Sequence, residues 1–130
     1  MTVLVTGGGG YIGSHMAARL VERGESVVVL DNLTTGFRWA CPREAEFVFG
    51  DVGEPRTLDL IFESHAIDAV IHFAGSIVLP ESVTDPLKYY RNNTLGSCRL
   101  IEACLAAGVG RFIFSSSAAV YGNPARLPLD

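Results

Sequence analysis

The chain has 130 residues, enough for one domain with a single hydrophobic core. Its hydrophobic content of 48% and formal net charge of −4, without a basic run, indicate a globular protein and argue against nucleic acid as a partner. We find no leader and no membrane-spanning stretch, so we expect a cytoplasmic protein with no membrane partner. Three cysteines without C-x-x-C spacing favour reduced thiols, and the three histidines lack metal-ligand spacing, which predicts no metal site.

Strands and helices alternate along the sequence. The predicted strands cover residues 2–6, 26–30, 47–49, 68–73 and 111–115. The predicted helices cover residues 11–23, a segment from Pro55 and about 87–107, and the intervening stretch through Pro80 and Pro86 is predicted as a loop. Apolar strands separated by helices predict an α/β fold with a parallel sheet that is buried on both faces. Right-handed crossovers give a Rossmann-type doubly wound sheet with strand order 3-2-1-4-5.

A glycine-rich turn, residues 7–13, follows the first predicted strand and precedes the first predicted helix. Gly7, Gly10 and Gly13 fit T-G-x-x-G-x-x-G together with Thr6, and this context makes the motif informative. The turn out of the strand needs backbone angles that a Cβ would forbid, and Gly10 lets a pyrophosphate approach the main chain. Gly13 lets the helix pack closely on the strand, and the first helical N–H groups favour phosphates. The turn therefore predicts a dinucleotide site, with a glycine-rich turn that binds no ligand as the alternative.

Ligands of such sheets bind beyond the carboxyl ends of the strands, so the residues that follow each strand are the next candidates. Asp31, after the second strand, is placed to accept both ribose hydroxyls of an adenosine, and its charge favours NAD over NADP. Asp51 and Val52, after the third strand, suit the edge and face of adenine, although Asp51 could instead cap a helix. The candidates after the fourth and fifth strands are Phe73, Ala74, Gly75, Ser115, Ser116 and Ser117.

Several stretches together resemble the extended short-chain dehydrogenase/reductase family and, within it, the UDP-hexose 4-epimerases. They are TGGGGYIGSH, LDNL, GDV, VIHFAG, the ES–DP–YYRNN stretch and FIFSSSAAVYG, and they span nearly the whole chain. The resemblance implies NAD as the cofactor and a UDP-sugar as the substrate. It implies interconversion of UDP-glucose and UDP-galactose by transient oxidation at C4. A related sugar-nucleotide dehydratase or reductase, or a sensor that only binds NAD, stays open as an alternative.

The same resemblance implies roles for individual residues. Tyr11 and Ile12 would lie along the pyrophosphate through their backbone, and Ser117 would hydrogen-bond the sugar hydroxyl that is oxidised. Asn92 would hydrogen-bond toward the cofactor; Asn93 is less favoured, and either asparagine could instead bridge loops. The other implied cofactor contacts are Gly7, Gly10, Gly13, Asp31, Asn32, Leu33, Asp51, Val52, Phe73, Ala74 and Gly75.

The sequence departs from the family at two places. The family often carries a lysine where this chain has Ile77. Its catalytic pair is a tyrosine followed four positions later by a lysine, and here the only lysine is Lys88, which follows no tyrosine at that spacing. We therefore expect residues 1–130 to be the NAD-binding Rossmann domain of an epimerase without its substrate domain, inactive by itself. The fifth strand would then be an exposed edge, and we expect a homo-oligomer or a self-associated fragment.

Overall fold

The five strands form one parallel sheet in the order β3-β2-β1-β4-β5. The computed structural model describes residues 1–122 and Arg126. The strands are β1 (Thr2–Thr6), β2 (Ser26–Asp31), β3 (Glu46–Phe49), β4 (Ala69–His72) and β5 (Phe112–Phe114). The predicted fold class and strand order are confirmed, and β1 lies at the point where the strand order reverses.

Helices pack on the sheet and alternate with the strands along the chain. They are α1 (Tyr11–Glu22), α2 (Pro55–Ser64), α3 (Leu79–Thr84), α4 (Pro86–Tyr89) and α5 (Gly96–Ala106). A π-helical turn (Tyr90–Leu95) joins α4 to α5, and short 3₁₀ turns occupy Arg38–Ala40 and Ala118–Tyr121. Within the described part of the chain, no helix combines the length and the apolar character needed to cross a membrane.

The central strands β1, β2 and β4 are buried on both faces, since their successive residues point to opposite sides and a separate core covers each side. On β1, Leu4 belongs to one core, and Val3 and Val5 belong to the other. The first core joins strand residues to α2, α5 and the β3–α2 connection: Leu4, Val28, Leu30, Val52, Leu58, Ile61, Ile67, Val70, Leu100 and Cys104. The second joins them to α1 and the loop after β2: Val3, Val5, Ala17, Val27, Val29, Cys41, Ala45 and Ile71. Two cores explain why the strands are apolar throughout rather than alternating.

The helical region before β5 differs from the prediction. Residues 79–84 form α3 rather than a loop, with Pro80 in the first turn, where its missing N–H is no loss. Asp85 ends α3 and caps α4, since its carboxylate accepts the N–H of Lys88 at 3.1 Å. The long helix predicted for residues 87–107 is interrupted by the π-helical turn. The sequence predicts a loop at both prolines, whereas in the structure each lies in the first turn of a helix.

Smaller differences concern the ends of the strands. Asp31 belongs to β2 and Glu46 to β3, while β4 and β5 are shorter at both ends than predicted. Gly24 and Gly108 follow α1 and α5 with φ of +79° and +73°, the left-handed conformation that favours glycine after a helix. The differences leave the carboxyl ends of the strands where the sequence placed them.

Candidate functional site

A groove of about 870 Å³ opens at the carboxyl ends of the strands. One side is the end of β1 and the connections after β2 and β3, and the other is the β4–α3 connection with residues 81–99. The predicted site residues that line it are Gly7, Asp31, Asn32, Asp51, Val52, Phe73, Ala74, Gly75 and Asn92. The structure thus brings together residues from four strand ends and one helical segment.

The three motif glycines have different surroundings. Gly7 has φ of +70°, and a Cβ there would lie 2.6 Å from the backbone nitrogen of Ala74. A Cβ on Gly13 would overlap the carbonyl group of Gly7. A Cβ on Gly10 would approach only the carbonyl oxygen of Gly7, at 3.2 Å. Gly7 and Gly13 are therefore required by the packing of the turn, whereas a Cβ on Gly10 would make one close contact and no severe overlap.

The first turn of α1 begins directly after Gly10. Gly10 is its N-cap and has no side chain to accept the first N–H groups of the helix. Tyr11 and Ile12 follow, with 82% and 60% of their surfaces exposed, and neither of them lines the groove. An uncapped helix start beside a glycine-rich turn is suited to an anion such as a phosphate.

Asp31 connects the glycine-rich turn to the loop after β2. Its carboxylate accepts the N–H of Gly9 at 2.9 Å and the N–H of Leu33 at 2.7 Å. The residue is only 8% exposed, and Leu33 adopts φ of 55° to make its bond. The sequence predicted a ligand role for Asp31 and missed this structural one. A carboxylate has about four lone-pair sites, so two backbone bonds leave capacity for further donors.

Asp51 organises the connection between β3 and α2. Its carboxylate accepts the side-chain N–H of Asn32 at 2.8 Å and the backbone N–H of Gly53 at 2.7 Å. The N-cap of α2 is Glu54, so the alternative that Asp51 caps this helix is wrong. The Arg99 guanidinium donates to the carbonyl of Gly53, which attaches this turn to α5.

Asn92 and Asn93 both reach the connection after β4. The side chain of Asn93 accepts the N–H of Ser76 at 2.7 Å and donates to its carbonyl at 2.9 Å. Asn92 donates to the Ser76 hydroxyl at 2.8 Å and also lines the groove. Both asparagines therefore bridge loops, as the sequence allowed, and the predicted contact of Asn92 with a cofactor stays a prediction. Two adjacent residues of the π-helical turn, Asn92 and Asn93, thus both hydrogen-bond to Ser76.

Tyr89 holds the next part of the same connection. Its hydroxyl lies 2.7 Å from the carbonyl oxygen of Val78 and accepts the Val78 N–H at 3.0 Å. The Glu81 carboxylate lies 2.9 Å from that hydroxyl and 2.5 Å from the ammonium of Lys88. Hydrogen bonds from Lys88 and Tyr89 lower the pKa of Glu81, while burial and Glu81 raise the pKa of Tyr89. Sequence reasoning missed this cluster because it interpreted residues 76–86 as a loop.

Ser117, the predicted catalytic candidate, follows β5. It is exposed, and its carbonyl accepts the N–H of Val120 at 3.2 Å. It does not appear among the residues that line the groove. Its contact with a sugar hydroxyl therefore stays a prediction.

Comparisons with known proteins agree with this geometry. A sequence profile of the NAD dependent epimerase/dehydratase family matches residues 3–130. The UDP-glucose 4-epimerase of Azospirillum brasilense is 53% identical over 127 residues, which are 98% of this chain and 36% of that relative. The UDP-glucose 4-epimerase of Klebsiella pneumoniae is 50% identical over 135 residues, which cover 98% of this chain and 97% of that relative.

A solved structure supports the same relationship. The crystal structure of UDP-glucose 4-epimerase from Brucella ovis in complex with NAD superposes with a TM-score of 0.91 and 49% identity. The match covers 98% of this chain and 39% of that one. The chain therefore spans less than half of the A. brasilense and B. ovis proteins and nearly all of the K. pneumoniae protein.

Proposed function

The chain belongs to the NAD dependent epimerase/dehydratase family, and from this premise we propose that it is the NAD-binding portion of a UDP-hexose 4-epimerase. One observation carries the proposal: Gly7 of the glycine-rich turn lines the same groove as Asp31 and Val52. A pyrophosphate needs close approach to backbone N–H groups, and an adenosine needs an acceptor for its ribose and an apolar contact for its base.

In this proposal, different residues of the chain contact different parts of NAD. Gly10 and the backbone of Tyr11 and Ile12 would hold the pyrophosphate. Asp31 and Asp51 lie toward the adenosine, and the small Ala74 and Gly75 leave room for the other half. When bound, NAD supplies the hydride acceptor for oxidation at C4 of the sugar. The protein contributes orientation, and Ser117 provides a hydrogen bond to the sugar hydroxyl.

We propose further that the 130-residue chain alone does not epimerise UDP-sugars. Oxidation at C4 requires a base for the hydroxyl proton, and the chain contains no tyrosine followed four positions later by lysine. General acid–base catalysis supplies a factor of about 10² to 10⁴ in rate, and positioning of the sugar supplies more. The purified chain, supplied with NAD, should convert UDP-galactose to UDP-glucose no faster than a protein-free control. Clear turnover would contradict this part of the proposal without affecting NAD binding.

Cofactor preference provides the direct test of the site. Titration calorimetry should find NAD bound at least about tenfold more tightly than NADP, because the Asp31 carboxylate repels a 2′-phosphate. Asp31→Asn, which keeps the size of the side chain, should weaken NAD binding. Asp68→Asn is a matched control, since Asp68 accepts the N–H of Thr2 at 2.7 Å at the opposite ends of the strands. Equal or tighter binding of NADP would contradict the assignment of Asp31.

The edge of the sheet supports a proposal about assembly. β5 lies at one edge, and its residues Ile113 and Phe114 are 60% and 58% exposed. Exposed apolar edge strands favour pairing with another chain, so we propose that the isolated chain self-associates. Light scattering should show oligomers at high concentration, and Ile113→Lys should reduce them. A stable monomer at every concentration would contradict this proposal only.

A further inference from the structure

A buried imidazole lies beneath the groove at the end of β4. His72 is 1% exposed, and both of its ring nitrogens have partners on other elements. Nδ1 lies 2.6 Å from the hydroxyl oxygen of Thr6, at the end of β1. Nε2 lies 2.8 Å from the hydroxyl oxygen of Ser97, in α5. The ring thus connects the strand that leads into the glycine-rich turn with the helix that follows the π-helical turn.

The surrounding hydrogen bonds determine the tautomer of His72. The Ser97 hydroxyl lies 2.6 Å from the carbonyl oxygen of Asn93, which can only accept, so the hydroxyl donates there. Ser97 must then accept from His72, which places the ring proton on Nε2. In the neutral ring Nδ1 is then an acceptor for the Thr6 hydroxyl, whose oxygen in turn lies 3.4 Å from the backbone nitrogen of Ala74.

This chain of hydrogen bonds ends at the groove in both directions. In one direction, Ala74 lines the groove. It contacts the backbone of Gly7 so closely that no Cβ would fit on Gly7. On the other, Asn93 holds both backbone groups of Ser76, which also lines the groove. One ring therefore hydrogen-bonds both to Thr6, which precedes Gly7 on the β1 side of the groove, and to Ser97, on the helical side.

We propose that His72 is a positioning residue for the cofactor: its neutral Nε2–H form holds the glycine-rich turn and the π-helical turn at the separation that NAD requires. This inference rests on the proposed function, because it assumes that the groove binds NAD. Thr6, Ser97 and His72 are not contacts of the cofactor in this proposal; they act through Gly7, Ala74 and Ser76.

The environment of the ring favours the neutral form. The described groups that face it are the hydroxyls of Thr6 and Ser97 and the rings of Phe112 and Phe114, whose centroids lie 6.0 and 5.7 Å away. None of them carries a charge. Burial lowers the pKa of His72 from 6.5 to about 4, so the ring stays neutral near pH 7.

Two substitutions of Thr6 separate hydrogen bonding from packing. Thr6→Val keeps the shape and removes the hydroxyl, whereas Thr6→Ser keeps the hydroxyl and removes a methyl group. Calorimetry should find that Thr6→Val weakens NAD binding about tenfold, and Thr6→Ser by less than about threefold. Urea unfolding of the same samples measures stability. Unchanged affinity for Thr6→Val, or a larger loss for Thr6→Ser, would overturn the inference.

Ser97→Ala provides the same test at the other nitrogen and from a partly exposed position, should Thr6→Val fail to fold. We expect a similar loss of affinity, and unchanged affinity would overturn the inference. A two-bond ¹H–¹⁵N spectrum of the unsubstituted chain at pH 7 should show the Nε2–H tautomer, and an Nδ1–H or charged ring would overturn it. If the unsubstituted chain bound no NAD, the proposed function would fail, and the inference with it. If NAD binds equally to all variants, only the inference fails.

Discussion

The two sides of the groove are held by different kinds of interaction. On the glycine-rich turn, backbone packs against backbone: Gly7 contacts Ala74, Gly13 contacts Gly7, and the Gly7 N–H donates to the carbonyl of Leu30 at 2.8 Å. On the opposite side, from Ser76 through the π-helical turn, hydrogen bonds from side chains hold the backbone in place. Asn93 and Tyr89 hydrogen-bond the backbone of residues 76 and 78.

This difference determines how each side responds to substitution. At Gly7 and Gly13 the backbone packing tolerates no added atom, so a single methyl group at either position should disturb the whole domain. Side-chain hydrogen bonds at a partly exposed surface contribute about 1 kcal/mol each, so their loss should be local and graded. His72 lies between the two sides and shares features of both, being buried like the turn and hydrogen-bonded like the helical side.

The largest effect should come from Gly13→Ala. The added Cβ overlaps the carbonyl group of Gly7, and neither backbone can move without separating α1 from β1. We expect a loss of more than about 3 kcal/mol in the free energy of unfolding. Gly110→Ala is the control, because nothing lies within 4 Å of its Cβ position, and it should change stability by less than about 0.5 kcal/mol. Similar urea midpoints for the two variants would contradict the packing argument.

Acid should weaken the domain through His72. The folded-state pKa is lowered to about 4 from 6.5, so the unfolded chain takes up a proton first as the pH falls. The contribution of His72 to stability is therefore complete above pH 6.5 and is lost toward pH 4, with a size on the order of 3 kcal/mol. Urea unfolding between pH 7 and pH 4 measures the loss. A free energy of unfolding that stays constant from pH 7 to pH 5 would show that the ring is not held neutral.

A smaller effect should distinguish the two neighbouring asparagines. Asn93→Ala removes two hydrogen bonds to the Ser76 backbone, so we expect a loss of about 1.5 kcal/mol. Asn92→Ala removes one bond to the Ser76 hydroxyl and should lower stability by about 0.5 kcal/mol, while weakening NAD binding more than its effect on stability implies. A larger loss of stability for Asn92→Ala than for Asn93→Ala would contradict this account, because it would make Asn92 the main bridge to Ser76.

The same contrast explains how much was predictable. Apolar runs and glycines are local signals, so the strands, their order and the glycine-rich turn follow from the sequence. Pro80 and Pro86 are ambiguous, because proline suits a loop and the first turn of a helix equally, and α3 was missed. The π-helical turn depends on bonds from Asn92 and Asn93 to Ser76, which lies 16 and 17 residues away in sequence.

The candidate site was predictable in position but only partly in its interactions. Asp31 was placed correctly at the end of β2, because chain order and strand order determine that position. Its bonds to the N–H groups of Gly9 and Leu33 depend on how the following loop folds back, which no local pattern encodes. For the same reason the sequence could not decide whether Asp51 caps α2, and the structure assigns that position to Glu54.

Calorimetric titration of NAD into the Gly10→Val variant tests the central claim most directly. Gly10 is the motif glycine whose Cβ position meets only one atom, at 3.2 Å, so valine should lower the urea midpoint far less than Gly13→Ala and leave the chain folded. Its side chain would occupy the space assigned to the pyrophosphate, and we predict that NAD binding is lost. A folded Gly10→Val variant that binds NAD as tightly as the unsubstituted chain would show that the pyrophosphate does not lie over the glycine-rich turn.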